Sequence, residues 1–258
     1  MPNNDYDVPL TPSMQVSDKK SFAKLVTSEA VGMFVFIYGA ISAVNFYVLS
    51  SYGSAATLDA MAVAICFGLS LTAGIHLSSY SGGHLNPSVS FSVFVVDNDI
   101  NLVELLAYWL GQGIGSILAG LLVVAQYASW INNYENHEDN LTFVGMYGTL
   151  KNPNVSLVSG VLDQFVGSFV LMYAICAIPG TKYKPFLVGA VLAALGTLMQ
   201  SNGFAFNGWR DMGPRLASTT LFGGLPFTAA DSWFWVPLVI PFPAMVCAKL
   251  AYNHKLFQ

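Results

Sequence analysis

The sequence predicts an all-α membrane protein in which six transmembrane helices and two re-entrant half-helices form an inverted repeat. Three observations carry that prediction. Of 258 residues, 54% are hydrophobic and 9% charged, against about a quarter charged in soluble domains. A surface so poor in ions is one that lipid, rather than water, solvates. Six apolar stretches approach the ~20 residues that a spanning helix needs, and a ten-residue segment of the first half recurs in the second.

In chain order, residues 1–20 are polar and carry Pro2, Pro9 and Pro12. They lack the basic start, short apolar stretch and cleavage site of a secretory signal. A flexible tail is expected there, with the first apolar run acting as its own insertion signal. The spans fall at about 25–49, 58–78, 102–127, 157–178, 185–201 and 233–252. The fifth is short. The sixth carries Pro237, Pro241 and Pro243, which membrane helices tolerate where neighbours re-satisfy the freed carbonyls. A channel domain of 21–253 is expected, with repeats at about 22–127 and 157–253 and a short tail at 254–258.

Basic residues set the orientation. Lys19, Lys20, Lys24, Lys182, Lys184, Lys249 and Lys255 all fall on one side of an even number of spans, and Lys151 on the other. The positive-inside rule then makes both termini cytoplasmic. Residues 128–156 form an exterior or lumenal loop with two glycosylation sequons, Asn140-Leu141-Thr142 and Asn154-Val155-Ser156. Acceptors close to the membrane are rarely used, so Asn140 is the candidate. His137 reads as part of this solvated loop.

Two apolar segments, 85–96 and 207–216, are too short to span. Broken backbone at membrane depth survives only where protein buries it or it lines a wet cavity, and two such segments at matching positions point to a midplane site. The halves do match. Glu29 to Tyr38 pairs with Gln164 to Tyr173 at a constant offset, with five of ten positions identical. Three spans per copy force opposite orientations. The first short segment opens Ser81-Gly82-Gly83-His84-Leu85-Asn86-Pro87-Ser88, where Asn caps exposed N–H groups and Pro suits the first helical turn. The second opens Gly203-Phe204-Ala205-Phe206-Asn207-Gly208-Trp209-Arg210-Asp211.

These motifs resemble those of the aquaporin family, and specifically its aquaglyceroporin branch, over nearly the whole chain. Asp211 directly after Arg210, the run Asp163-Gln164-Phe165-Val166-Gly167 and the run Trp233-Phe234-Trp235-Val236-Pro237 favour that branch. The resemblance implies a right-handed bundle, usually one of four in a homotetramer. It further implies a passive pore for glycerol, water and other small neutral solutes that excludes ions and protons. Its pore-midpoint motifs would be Asn86-Pro87-Ser88 and Asn207-Gly208-Trp209. The selectivity filter it implies comprises Phe67, Gly196, Phe204 and Arg210. Counting without a gap would put Cys66 at the first position, and Thr197 or Leu195 are alternatives at the second. Glu29, His84, Gln164 and Asp211 would support the loops.

One departure stands out: the family has Asn-Pro-Ala where this chain has Asn207-Gly208-Trp209. Gly loses the φ that Pro would fix, and an indole replaces a methyl. The ring could use space left by Gly208 and Ser88, point outward between helices, or narrow the pore. Two alternatives follow from it: a non-conducting or tightly gated relative with a scaffold or adhesion role, and a water-only pore narrowed by Trp209.

Other classes are disfavoured. A net charge of −4 gives no basic footprint for nucleic acid. Cys66, Cys176 and Cys247 are widely separated in apolar runs, without metal-ligand spacing. No paired acid and base, nucleophile beside a histidine, or phosphate loop suggests an enzyme, and no cofactor is implied. An ion-coupled transporter would need ionisable residues along its path, and spans two, three and five have almost none. His76 reads as a satisfied helix histidine, with a gating role as the alternative.

Overall fold

A computed structural model describes residues 20–52, 58–133 and 140–256. The tail before Lys20, His137 and the last two residues lie outside the described residues. The elements are α1 (Phe22–Ser50), α2 (Ala60–Leu77), α3 (Pro87–Ser92), α4 (Leu102–Asn132), α5 (Asn140–Gly145), α6 (Leu157–Ala177), α7 (Lys184–Leu198), α8 (Gly208–Phe222), α9 (Leu225–Ser232), α10 (Trp235–Val239) and α11 (Pro241–Asn253). A π-helical turn, Val93–Asp97, continues α3. Among the described residues there is no strand.

The helix starts follow from local chemistry. Asp59 caps α2 by accepting from the Ala62 N–H at 2.7 Å. Asn101 and Glu104 cap α4 reciprocally, each side chain accepting from the other's backbone N–H, and Ser156 caps α6. Each satisfies donors that the first helical turn leaves free.

Helices α1, α2, α4, α6 and the joined pair α10–α11 are long and apolar enough to cross a membrane, while α7, at 15 residues, is shorter. Large apolar side chains stand outward along them, among them Ile65, Leu69, Leu118, Leu162 and Phe186. Contiguous exposed apolar surface of this kind faces lipid or partner protein. The chain is an integral membrane protein.

Two helices outrun the segments expected of them by more than a turn. α4 continues past 127 to Asn132 because its core-facing stripe does: Val124, Tyr127 and Ile131 are all buried. α8 continues past 216 to Phe222 despite Pro214. The hydroxyls of Ser218, Thr219 and Thr220 bond back to the carbonyls of Arg215, Leu216 and Ala217, which supplies partners to carbonyls near the end of that helix.

The repeat is visible in the side chains. Phe34 stacks on Tyr38 in α1 with ring centroids 6.2 Å apart. Phe169 stacks on Tyr173 in α6 at the same separation. Small residues let the bundle close, as is usual where helices associate in lipid. At the α2–α7 crossing, a Cβ built on Gly68 would lie 2.3 Å from the Gly189 carbonyl oxygen, and one on Gly189 equally close to that of Gly68.

Gly68→Val is therefore expected to destabilise the bundle by about 1–3 kcal/mol through overpacking. Gly180→Ala, where a Cβ would meet nothing within 4 Å, should be nearly neutral. Thermal unfolding in detergent checks the contrast.

Candidate functional site at the junction of the half-helices

Helices α3 and α8 point their N-termini at each other near the centre of the bundle, and two asparagines join them. Asn86 caps α3, its Oδ1 accepting from the Ser88 N–H at 3.0 Å. Its Nδ2 donates to the Phe206 carbonyl at 2.8 Å. Asn207 caps α8 in the same way, accepting from the N–H groups of Trp209 and Arg210 and donating to the Leu85 carbonyl at 2.7 Å. Each asparagine thus spends one amide hydrogen on the opposite loop and keeps a second. Both residues are 5% exposed.

The loops behind the asparagines are strained. Leu85 and Phe206 occupy the left-handed region at φ 48° and 50°, a conformation that L-residues keep only when their surroundings impose it. The constraint comes from the first spans. The Glu29 carboxylate, fully buried on α1, accepts from the N–H groups of His84 and Leu85, the Ser81 hydroxyl and the Gln112 amide. In the second half, Gln164 of α6 accepts from the Phe206 N–H at 3.4 Å and donates to the Gly203 carbonyl at 2.6 Å. His84 hydrogen-bonds the Ser90 hydroxyl through Nδ1 at 3.0 Å and stacks on Tyr108, ring centroids 4.2 Å apart.

A cavity of about 510 Å3 runs from Asn86, Asn207 and Ala205 to a mouth at His76, Thr181, Lys184 and Lys249. Its lining is largely apolar, with Phe36, Leu71, Val89, Leu171, Val188 and Leu192, and includes the segment 82–86. His76, read from sequence as a satisfied helix histidine, stands instead exposed on this rim. Lys249 lies along the cavity with its ammonium 2.5 Å from Asp97.

Beyond the asparagines, four side-chain positions converge. Phe67 and Phe204 meet edge to face, centroids 4.7 Å apart. The Arg210 guanidinium lies 4.9 Å from the Phe67 ring centre and 5.8 Å from that of Phe204. A Cβ on Gly196 would stand 2.8 Å from the Phe204 ring. Of the alternatives, Thr197 turns its hydroxyl to the Ala193 carbonyl, Leu195 joins the apolar core, and Cys66 is half-buried beside the buried Phe67. The Arg210 Nε finds no hydrogen-bond partner among the described residues.

Asp211 stands 3.7 Å from Arg210 Nη1 but makes its hydrogen bonds outside the cluster. It accepts from the Thr149 N–H and hydroxyl and from Arg215 Nε, at 2.7–2.8 Å. Arg215 in turn donates to the carbonyls of Thr149 and Pro226. Trp209 is not among the cavity-lining residues. Its indole lies against Gly113 of α4, between helices, while Gly208 faces Pro87 and Leu238. Asn140 sits at the start of α5, half-buried.

Sequence reasoning missed three participants: Gly113, Lys249 as a cavity residue, and Arg215. The alternating run Gly111-Gln112-Gly113-Ile114-Gly115 and a charge inside an apolar span were the available signals.

Paired half-helices, held tip to tip beside a lumen by an inverted repeat of spans, define a membrane channel. The chain belongs to the Major intrinsic protein family, whose profile matches residues 16–252; the family comprises channels rather than enzymes. It is 30% identical over 244 residues to Aquaglyceroporin-2 of Rhizophagus irregularis, covering 89% of this chain and 76% of that one. It is 29% identical over 204 residues to the Glycerol uptake facilitator protein of Bacillus subtilis, covering 74% and 71%. The solved aquaglyceroporin of Plasmodium falciparum shares the fold, with a TM-score of 0.81 over 92% of this chain and 98% of that one at 24% identity.

Glu29→Gln tests the brace. It replaces one acceptor oxygen with a donor and leaves buried donors unmatched, so a loss of about 2–4 kcal/mol in stability is expected. The check is thermal unfolding in detergent, against Gln164→Ala.

Proposed function

We propose that this protein is a passive channel for glycerol, water and other small neutral solutes, closed to ions and protons. The observation that carries the reading is the bare backbone at Gly196, which leaves room for the Phe204 ring to lie against it. With no side chain there, Phe204 swings over the bare backbone and meets Phe67 at a right-angled apolar corner. Arg210 stands opposite with donors to spare. Such a corner receives the carbon edge of a polyol while the guanidinium donates to its hydroxyls. A His or Trp at 196 would displace the Phe204 ring from this seat and crowd the corner.

Below the filter, the spare amide hydrogens of Asn86 and Asn207 donate to a passing hydroxyl or water oxygen. The N-termini of α3 and α8 each bring roughly half a positive charge to the same point. A cation meets repulsion there and at Arg210. A water chain crossing the site is oriented outward from the two donors, which interrupts proton relay. Glu29, Gln164, His84 and Asp211 serve by holding these donors rather than by touching solute.

We further read the chain as one protomer of a homotetramer, in the plasma membrane or an internal membrane, with both termini cytoplasmic. Supporting that orientation, Lys20 and Lys24 contact Ser81 and Tyr80 at the cavity end that also carries Lys184 and Lys249. Asn140 is the proposed glycan acceptor of the opposite side. The scaffold and water-only readings drew on Trp209, whose ring lies against Gly113 rather than along the described cavity.

Stopped-flow light scattering on proteoliposomes provides the test, with an osmotic step for water and an inward glycerol gradient. Wild-type vesicles should take up glycerol rapidly. Gly196→Trp should cut that uptake at least about tenfold while water flux falls far less, because a narrowed pore rejects the larger solute first. Glycerol uptake indifferent to both Gly196→Trp and Arg210→Ala would contradict the filter.

A further inference from the structure

The two half-helices begin differently. α3 opens Asn86-Pro87-Ser88, a rigid ring at the first helical position followed by a small side chain. α8 opens Asn207-Gly208-Trp209, a bare residue followed by a large ring. Pro fixes φ and pre-forms the first turn, whereas Gly leaves it free. Beyond the Asn207 cap, a packing contact is left to help fix the rotation of α8.

Helix α4 supplies it. On one face, at helical spacing, α4 reaches both half-helices. Trp109 donates to the Pro87 carbonyl at 3.0 Å, Gln112 reaches Ser90, and Ser116 donates to the Trp209 carbonyl at 2.6 Å. Between them lies Gly113. A Cβ there would stand 2.8, 3.0 and 3.1 Å from the indole Cζ2, Cη2 and Cε2 of Trp209. The indole therefore occupies the room that any side chain at 113 would need. It is flat and rigid, and an approach this close admits little sliding.

Arg210 follows immediately, about 100° further round the helix. Its guanidinium has few polar tethers: Nε is unpartnered among the described residues, and Nη1 lies 3.7 Å from Asp211. The aim of Arg210 is consequently inherited from the backbone of α8. We propose that Trp209, seated on Gly113, is a positioning residue for the filter. The pair sets the rotation of α8 and so the place of Arg210 opposite Phe67 and Phe204, a task that Pro performs in α3. This rests on the channel reading above.

A four-way cycle in full-length, reconstituted protein tests it: wild type, Gly113→Ala, Trp209→Ala and the double variant, each read as the ratio of glycerol to water permeability. Gly113→Ala pushes the indole out of its seat and should lower the ratio at least fivefold. Trp209→Ala frees α8 and should also lower it, by about threefold. The double variant, with two methyl groups where an indole met bare backbone, should recover to within about twofold of wild type. Trp209→Phe, which still covers Gly113, should keep most of the ratio. A stability defect alone would reduce both permeabilities together and leave the ratio still.

If Gly113→Ala does not fold, Trp209→Ala and Trp209→Phe decide the matter, since neither adds a clash. Wild-type flux with a ratio indifferent to position 209, or a double variant as impaired as Gly113→Ala, overturns this proposal and leaves the channel reading standing. A wild type that passes neither solute overturns both.

Discussion

The exchange of hydrogen bonds between Asn86 and Phe206, and between Asn207 and Leu85, is the constraint on which the rest of the structure depends. A backbone that breaks off in the middle of a membrane cannot turn to water for its missing partners. Here each broken end is satisfied by the other. The carbonyls of the two left-handed residues go to the opposite asparagine, and their N–H groups go to Glu29 and Gln164 of the first span in each half. Remove either asparagine and a carbonyl, an amide and a helix cap all lose partners together.

From that junction outward, position is passed along by contact rather than by charge. The spans close on bare glycine backbone at Gly68 and Gly189, which fixes the distance between α2, carrying Phe67, and α7, carrying Gly196. Helix α4 holds both half-helices in register through Trp109, Gln112 and Ser116. The buried ions take part as anchors: Asp211 and Arg215 tie Thr149 and the Pro226 carbonyl to α8. Each of those charges meets a partner, as burial in a low-dielectric interior demands.

Much of this was legible in the residues. Apolar length gave the spans, and the recurrence of Gly and Tyr at fixed spacing gave the inverted repeat. Asn before Pro gave the start of one half-helix. What was not legible depends on contacts between distant positions. Whether residue 66 or 67, and 196 or 197, faces the lumen turns on a one-residue difference in loop length, and a helix rotates side chains by about 100° per residue. The seat of Trp209 could not be read because it requires an absence, the missing side chain of Gly113, on a helix nearly a hundred positions earlier. Lys249 served in sequence only to orient the chain, and its place beside the cavity required the rotation of α11. The exposed place of His76 at the cavity rim depended in the same way on the rotation of α2.

The two halves carry different braces, a carboxyl group at Glu29 and an amide at Gln164, while the Arg210 guanidinium stands on the other side of the asparagines. A pore built by repetition is thereby polar along its axis. For an uncharged solute, that polarity does no net work over a complete crossing. It can reshape the sequence of barriers, so that flux saturates at different concentrations from the two faces. It cannot bias the direction of transport: with equal concentrations on both sides, microscopic reversibility requires as many crossings one way as the other, however lopsided the field within.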